Sequence, residues 1–129
     1  MNIRSIAGQQ AEKAVAEYLM QQGFTILQFN YRRTYGEIDL IAKYRSTVAF
    51  VEVKMRNNDL VPMTQLVNWS KQQKIIAVAK DFITRNYKIC GKAICRFDIA
   101  LIFQNYGKQQ ITYIPNAFSE SESSAHDYY

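Results

Sequence analysis

The sequence predicts a single α/β or α+β domain with the element order α β β β α β β. Three observations lead there. Two stretches with apolar residues at helical spacing bracket three consecutive β-rich runs, and two further β-rich runs close the chain. The length of 129 residues suits one hydrophobic core and is too short for two ordinary domains. Apolar residues are spread along the chain and make up 48% of it, which separates it from disordered sequences.

The first helix is expected over Ser5 to Gln22, where Ala11, Ala14, Val15, Tyr18 and Leu19 recur three and four residues apart, and Gly23 supplies the stop. "FTILQFNYRR" reads as a strand, rich in aromatic and β-branched residues, and Thr34 to Gly36 as the turn after it. "GEIDLIAKYRSTVAFVEVKMR", Gly36 to Arg56, then holds two strands joined around "YRST". "NNDLVPMTQ" is a polar loop. Leu66 to about Asn86 returns to helical spacing through Ile75, Ile76, Ala79, Phe82 and Ile83, with Lys71, Lys74 and Lys80 off that stripe. "ICRFDIALIFQ" and "QITYIPNAF" are the closing strands. Residues 1–118 form the domain, and the acidic, Ser-rich residues 119–129 are expected to be a flexible tail.

Composition narrows the function. No apolar run approaches the ~20 residues of a membrane helix, and "MNIRSIAGQQAEK" has no signal-peptide core, so no membrane partner and a cytoplasmic location are expected. Cys90 and Cys95 lack a second pair or a nearby His and read as reduced structural thiols. His126, the single histidine, lies in the tail and is a poor general base. Residues 1–118 hold all 16 Lys and Arg against 8 acids, a net +8, which suits a polyanionic partner.

Charge inside the two central strands is the chief anomaly, because a strand interior tolerates charge only when a partner or bound ion compensates it. By alternation Glu37, Asp39 and Ile41 share one face of the earlier strand, and Val48, Phe50, Glu52, Lys54 and Arg56 one face of the later. A hairpin with a four-residue loop at Tyr44 to Thr47 makes opposite positions sum to 91, so that Asp39 faces Glu52 and Glu37 faces Lys54. Carboxylates roughly 5 Å apart across strands repel each other. Oxygen-only ligands of this kind suit Mg²⁺ or Mn²⁺ rather than zinc. A metal beside Lys54 is a working set for phosphodiester hydrolysis. The alternative is structural: Glu37 bridged to Lys54, Asp39 exposed, and Glu52 paired with Arg32 or Arg33.

Several motifs occur in a fixed order: G-x-x-A-E at Gly8 to Glu12, N-Y-R at Asn30 to Arg32, G-E-I-D-L at Gly36 to Leu40, and F-V-E-V-K-x-R at Phe50 to Arg56. Lys71 with Gln72, R-F-D at Arg96 to Asp98 and N-A-F at Asn116 to Phe118 follow. Together, over roughly residues 6–118, they resemble the YraN-like family of uncharacterised bacterial proteins (family number 0102), itself similar to PD-(D/E)-x-K nucleases close to archaeal Holliday-junction resolvases. The resemblance implies a restriction-endonuclease-like α/β core with a mixed sheet of about five strands flanked by helices. It also implies that Asp39, with Glu52 and Lys54 as the E-x-K pair, is catalytic, and that Glu12 can join Asp39 and Glu52 at the metal. This sequence lacks the "PD" dipeptide, since Ile38 precedes Asp39. Arg96 and Asp98 are expected to form a supporting ion pair.

The resulting expectation is a Mg²⁺- or Mn²⁺-dependent endonuclease acting on branched, flapped or otherwise irregular DNA, with Glu37 and Glu12 assisting. Arg32, Arg33, Arg56, Lys71 and Lys74 are the candidate nucleic-acid contacts, with Tyr31 and Tyr35 offering stacking surface beside the first two. Resolvase-like relatives often act as symmetric dimers, so a homodimer is compatible with the resemblance. Two other readings stand beside this one: a nucleic-acid-binding module that does not cleave, and an interaction protein that uses the basic surface.

Overall fold

The computed structural model describes residues 5–56, 67–105 and 107–120. Helix α1 spans Ile6–Gln21 and begins where Ser5, in extended conformation, accepts the Gly8 N–H on its side chain at 2.9 Å. It ends at Gly23, whose φ of 98° is a conformation that glycine adopts without steric cost. Strands β1 (Thr25–Arg33), β2 (Gly36–Tyr44) and β3 (Thr47–Arg56) follow. Helix α2 (Trp69–Arg85), a short α3 (Tyr87–Cys90), and strands β4 (Ile94–Asn105) and β5 (Lys108–Phe118) complete the order.

The five strands form one mixed sheet in sequential order, antiparallel except for the parallel pair β3 and β4. A parallel pair needs a long crossover, and the segment carrying α2 provides it. The expected order and mixed five-stranded sheet are thus observed, with α3 as an addition. Four residues are too few to display a helical period. Helix α2 starts three residues later than its apolar spacing suggests, because the Asn68 side chain accepts the Lys71 N–H and fixes the first turn there. The expected loop at 57–65 and nearly all of the expected tail, residues 121–129, lie outside the described residues. No helix among the described residues is long and apolar enough to cross a membrane.

Each face of the sheet carries its own core. Towards α2 lie Ile38, Ile41, Val48, Phe50, Phe97 and Ile99 with Ile75, Val78 and Phe82 of the helix. Towards α1 lie Leu40, Ala42, Ala49, Val51, Ala100 and Ile102 with Ala11, Val15 and Leu19. The β2–β3 register obeys the predicted sum from Leu40↔Val51 to Tyr44↔Thr47, but Tyr44 and Thr47 themselves pair, so the connection is the two residues Arg45 and Ser46.

One expectation is corrected. Ile38 and Ile41, three residues apart, both face α2 while Leu40 faces α1, so strict alternation fails at Asp39 and Ile41 does not share its face. Directly opposite on β1, Asn30 has a left-handed backbone (φ 54°) between the pairs Phe29↔Leu40 and Tyr31↔Ile38, so both strands are irregular at the same level of the sheet.

A second distortion has its own fastening. Asp98 is fully buried on β4 and receives Arg96 Nε at 2.9 Å, the Tyr113 hydroxyl at 2.5 Å and the backbone N–H of Asn116 at 2.8 Å. Asn116 is left-handed (φ 53°) and sits where the β4–β5 register shifts between Phe97 and Ile99. The R-F-D and N-A-F motifs therefore meet in one hydrogen-bonded lock, as the expected supporting ion pair requires. Burial, then the Asp98 charge, raises the pKa of Tyr113, which keeps its hydroxyl a donor.

Candidate active site

The β2–β3 ladder stops at Leu40↔Val51. One residue beyond, Asp39 Oδ2 accepts the Val53 N–H at 2.8 Å, so a side-chain carboxylate takes the place of a backbone carbonyl and the strands part. The opening forms a cavity of about 220 Å³ lined by Glu12 of α1, Asp39 of β2 and Glu52 of β3, together with Gly8, Ala11, Val53 and Met55. Glu12 and Glu52 are 5% and 7% exposed, which is unusual enough for glutamates to demand compensation.

The cluster holds more negative charge than it can easily keep. Burial, then the Glu52 charge, pushes the Asp39 carboxyl up to about 7, with smaller contributions from Glu12 and Glu37 and an opposing one from the Val53 N–H. Glu52 lies on the strand face that meets α2, and its Oε1 receives Lys71 Nζ of α2 at 2.8 Å and Lys54 Nζ at 3.2 Å. Burial, then the neighbouring Lys71, lowers the pKa of Lys54. Burial also works against the Lys71 ammonium, but hydrogen bonds to Glu52 and Lys54 outweigh it and raise its pKa. The pair is thus divided, with Lys71 the firmer cation and Lys54 the readier to become a free amine.

A divalent cation suits these donors. They are hard carboxylate oxygens, and beside burial, the main cause of the raised Asp39 pKa, the neighbouring carboxylate charges add a repulsion that a cation would relieve. Among the described residues no three His, Cys, Asp or Glu side chains already converge on one point as a finished cage. Glu52 is engaged by ammonium groups on Oε1 and Asp39 by an N–H on Oδ2, so a metal would compete with these contacts or use the other oxygens of the two carboxylates.

The other predicted residues are more dispersed. Glu37 is tied to Arg32 at 2.8 Å and does not line the cavity. Arg33 packs over the Tyr31 ring at 4.3 Å and binds Asp81 of α2 at 2.6 Å, where the Tyr31 hydroxyl also donates. Arg56 Nη1 donates to the Met55 carbonyl. Lys74 lies against Gly36 through its Cβ. Sequence reasoning missed Asp81, which joins β1 to α2, and Asn30. The left-handed tolerance of asparagine was the available signal for the latter. For Asp81 there was none.

The family model described as "Uncharacterised protein family UPF0102" matches residues 11–102, a span that contains Glu12, Asp39, Glu52, Lys54 and Lys71. The UPF0102 protein of Nitrosomonas europaea is 40% identical over 115 residues, covering 88% of this chain and 94% of its own length. That of Alkaliphilus metalliredigens is 39% identical over 117 residues, 86% of this chain and 96% of its own. That of Vibrio vulnificus is 36% identical over 119 residues, with 91% and 95% covered. With relatives covering 86–91% of this chain at this identity, and the family's span enclosing all three carboxylates of the cavity, the chain belongs to the UPF0102 family.

Proposed function

We propose that the cavity between β2 and β3 hydrolyses phosphodiester bonds in DNA at branched, flapped or otherwise irregular structures. One observation carries the reading: carboxylates from α1, β2 and β3 line one cavity where the sheet parts, with two lysines on the glutamate of β3. Asp39 and Glu52, with Glu12 beside them, would hold Mg²⁺ or Mn²⁺. When bound, such an ion supplies Lewis-acid polarisation of the phosphate and acidification of a water. Lys54, its pKa already lowered, accepts a proton from the attacking water. Lys71, once free of Glu52, offers its ammonium to the charge that develops on the phosphate. Arg56 and Lys74, near the ends of β3 and α2 that carry the lysines, supply further cations for the backbone of the substrate.

Calorimetric titration with Mn²⁺ tests this without a choice of substrate. Binding should occur in the native chain, alone or with DNA present, and disappear in Asp39→Asn and Glu52→Gln. A screen of end-labelled branched, single-stranded and nicked DNA should then show cleavage that Glu52→Gln and Lys54→Ala abolish while the fold is kept. Metal binding that survives both carboxylate substitutions would defeat the assignment.

A second reading, binding without cleavage, draws on the same ion pairs, since two lysines already neutralise Glu52. It predicts salt-sensitive DNA binding that needs no metal, and no product in the screen.

A further inference from the structure

At the far end of the β2–β3 hairpin lies a cavity of about 450 Å³, twice the size of the carboxylate site. It is walled by the hairpin turn on one side and by α3 with the residues after it on the other. Lys43, Arg45, Lys88 and Lys92 line it, and no acidic residue does. Among the described residues, no carboxylate pairs with Arg45, Lys88 or Lys92, while Lys43 Nζ donates to the Arg45 carbonyl at 2.5 Å. Four cations gathered without counter-charge repel each other, and an anionic ligand would relieve that repulsion.

Two further features mark the cavity as built. Arg45 holds a left-handed backbone (φ 52°) in a two-residue turn, a position where glycine or asparagine is the unstrained choice. The Arg45 side chain on this strained turn lines the cavity, its guanidinium 5.2 Å from the centre of the Tyr44 ring. Tyr87 is 65% exposed, yet its ring lies so close to the Gly91 backbone that a Cβ on Gly91 would come within 2.5 Å of it. Glycine therefore lets the ring rest on the chain with much of its surface open, a platform on which a base can stack.

We infer that this cavity is a second nucleic-acid contact, gripping a single-stranded segment with the four cations on its phosphates and Tyr87 against a base. Strand rise over the six residues from either carboxylate strand position to the turn gives roughly 20 Å, so one extended strand, or one arm of a branched molecule, can reach both. The inference rests on the proposed function in taking the two sites to serve one ligand. An isolated nucleotide has the same chemistry, but the open wall of exposed side chains favours a chain that continues beyond the cavity.

The test is fluorescence anisotropy of a labelled single-stranded oligodeoxynucleotide of about 20 nucleotides in EDTA at about 50 mM salt. The full-length Glu52→Gln chain removes any contribution from cleavage. Adding Lys88→Ala and Lys92→Ala together should weaken binding about tenfold and flatten the salt dependence by roughly 1.4 log units per log unit of salt. Tyr87→Ala should weaken it about fivefold with the salt slope unchanged. All three residues are exposed, so the fold is not at risk. Lys13→Ala with Lys108→Ala removes the same charge elsewhere on the exposed surface, and an equal loss there would reduce the effect to net charge and overturn the inference. Displacement of the strand by low-micromolar deoxythymidine monophosphate would also overturn it, in favour of a mononucleotide site. Since none of these measurements needs cleavage, a carboxylate site that proves inactive leaves their outcome readable.

Discussion

Asp39 sits where its charge is resisted, and that has a measurable consequence for stability. Its carboxyl titrates near 7 in the fold against about 4 in an unfolded chain, so the folded state binds this proton more tightly. Such a group favours the fold while protonated in both states, and the advantage disappears as the pH rises from about 4 to 7, leaving a buried charge above that range. Asp39→Asn keeps an oxygen for the Val53 N–H and removes the charge. Without metal, we expect the variant to be more stable than the native chain at pH 8 by on the order of 2 kcal/mol, and by much less at pH 5. Urea unfolding in EDTA at the two pH values measures this. Equal stability at pH 8 would mean that the carboxylate is better solvated than the cavity geometry implies. Under the proposed function this is the trade expected of a catalytic carboxylate, where local charge lowers stability in exchange for activity.

At the scale of elements, β2 and α2 form the mechanical unit of the site, because α2 carries Lys71 and rests on the start of β2. A Cβ on Gly36 would lie 3.1 Å from Val78 Cγ2 and 3.3 Å from Lys74 Cβ, so an added methyl group would press α2 outward by a few tenths of an ångström. Gly36→Ala should cost about 1–3 kcal/mol in thermal unfolding. It should also reduce cleavage more than DNA binding, because it moves Lys71 relative to Glu52. Unchanged stability and cleavage would show that α2 can give way freely. The elements themselves were legible in the sequence, since the central strands and both long helices have clean periods and the pairing sum of 91 follows from where the hairpin turns. The parting of the strands at Asp39 was not. Alternation assumes a regular ladder, and here the Asp39 side chain takes the Val53 N–H in place of a ladder bond, opposite the left-handed Asn30 of the neighbouring strand. Lys71 was read as a surface phosphate contact for the same reason: helical spacing places it off the apolar stripe, but only packing of α2 on the sheet shows that Glu52 lies beneath it.

For the whole molecule, the sum of charges sets what the two cavities do together. A body of net +8 favours a polyanion at long range, whereas Glu12, Asp39 and Glu52 line a cavity of opposite sign, at the place proposed for chemistry. The carboxylates must therefore oppose a phosphate that approaches without metal, and Lys54 and Lys71 are partly consumed in restraining Glu52. Glu52→Gln removes one of the charges and frees both ammonium groups. A unit charge about 4 Å from a phosphate is worth about 1 kcal/mol even at the dielectric of water. In EDTA at low salt, Glu52→Gln should thus bind branched or single-stranded DNA about fivefold more tightly than the native chain. With Mn²⁺ present the order should reverse, because the native site then holds a cation that the variant cannot. Anisotropy titrations of both proteins with and without Mn²⁺ decide the matter. Affinities that match under every condition would place the phosphates away from Glu52, and the basic cavity at the hairpin turn would then account for whatever binding remains.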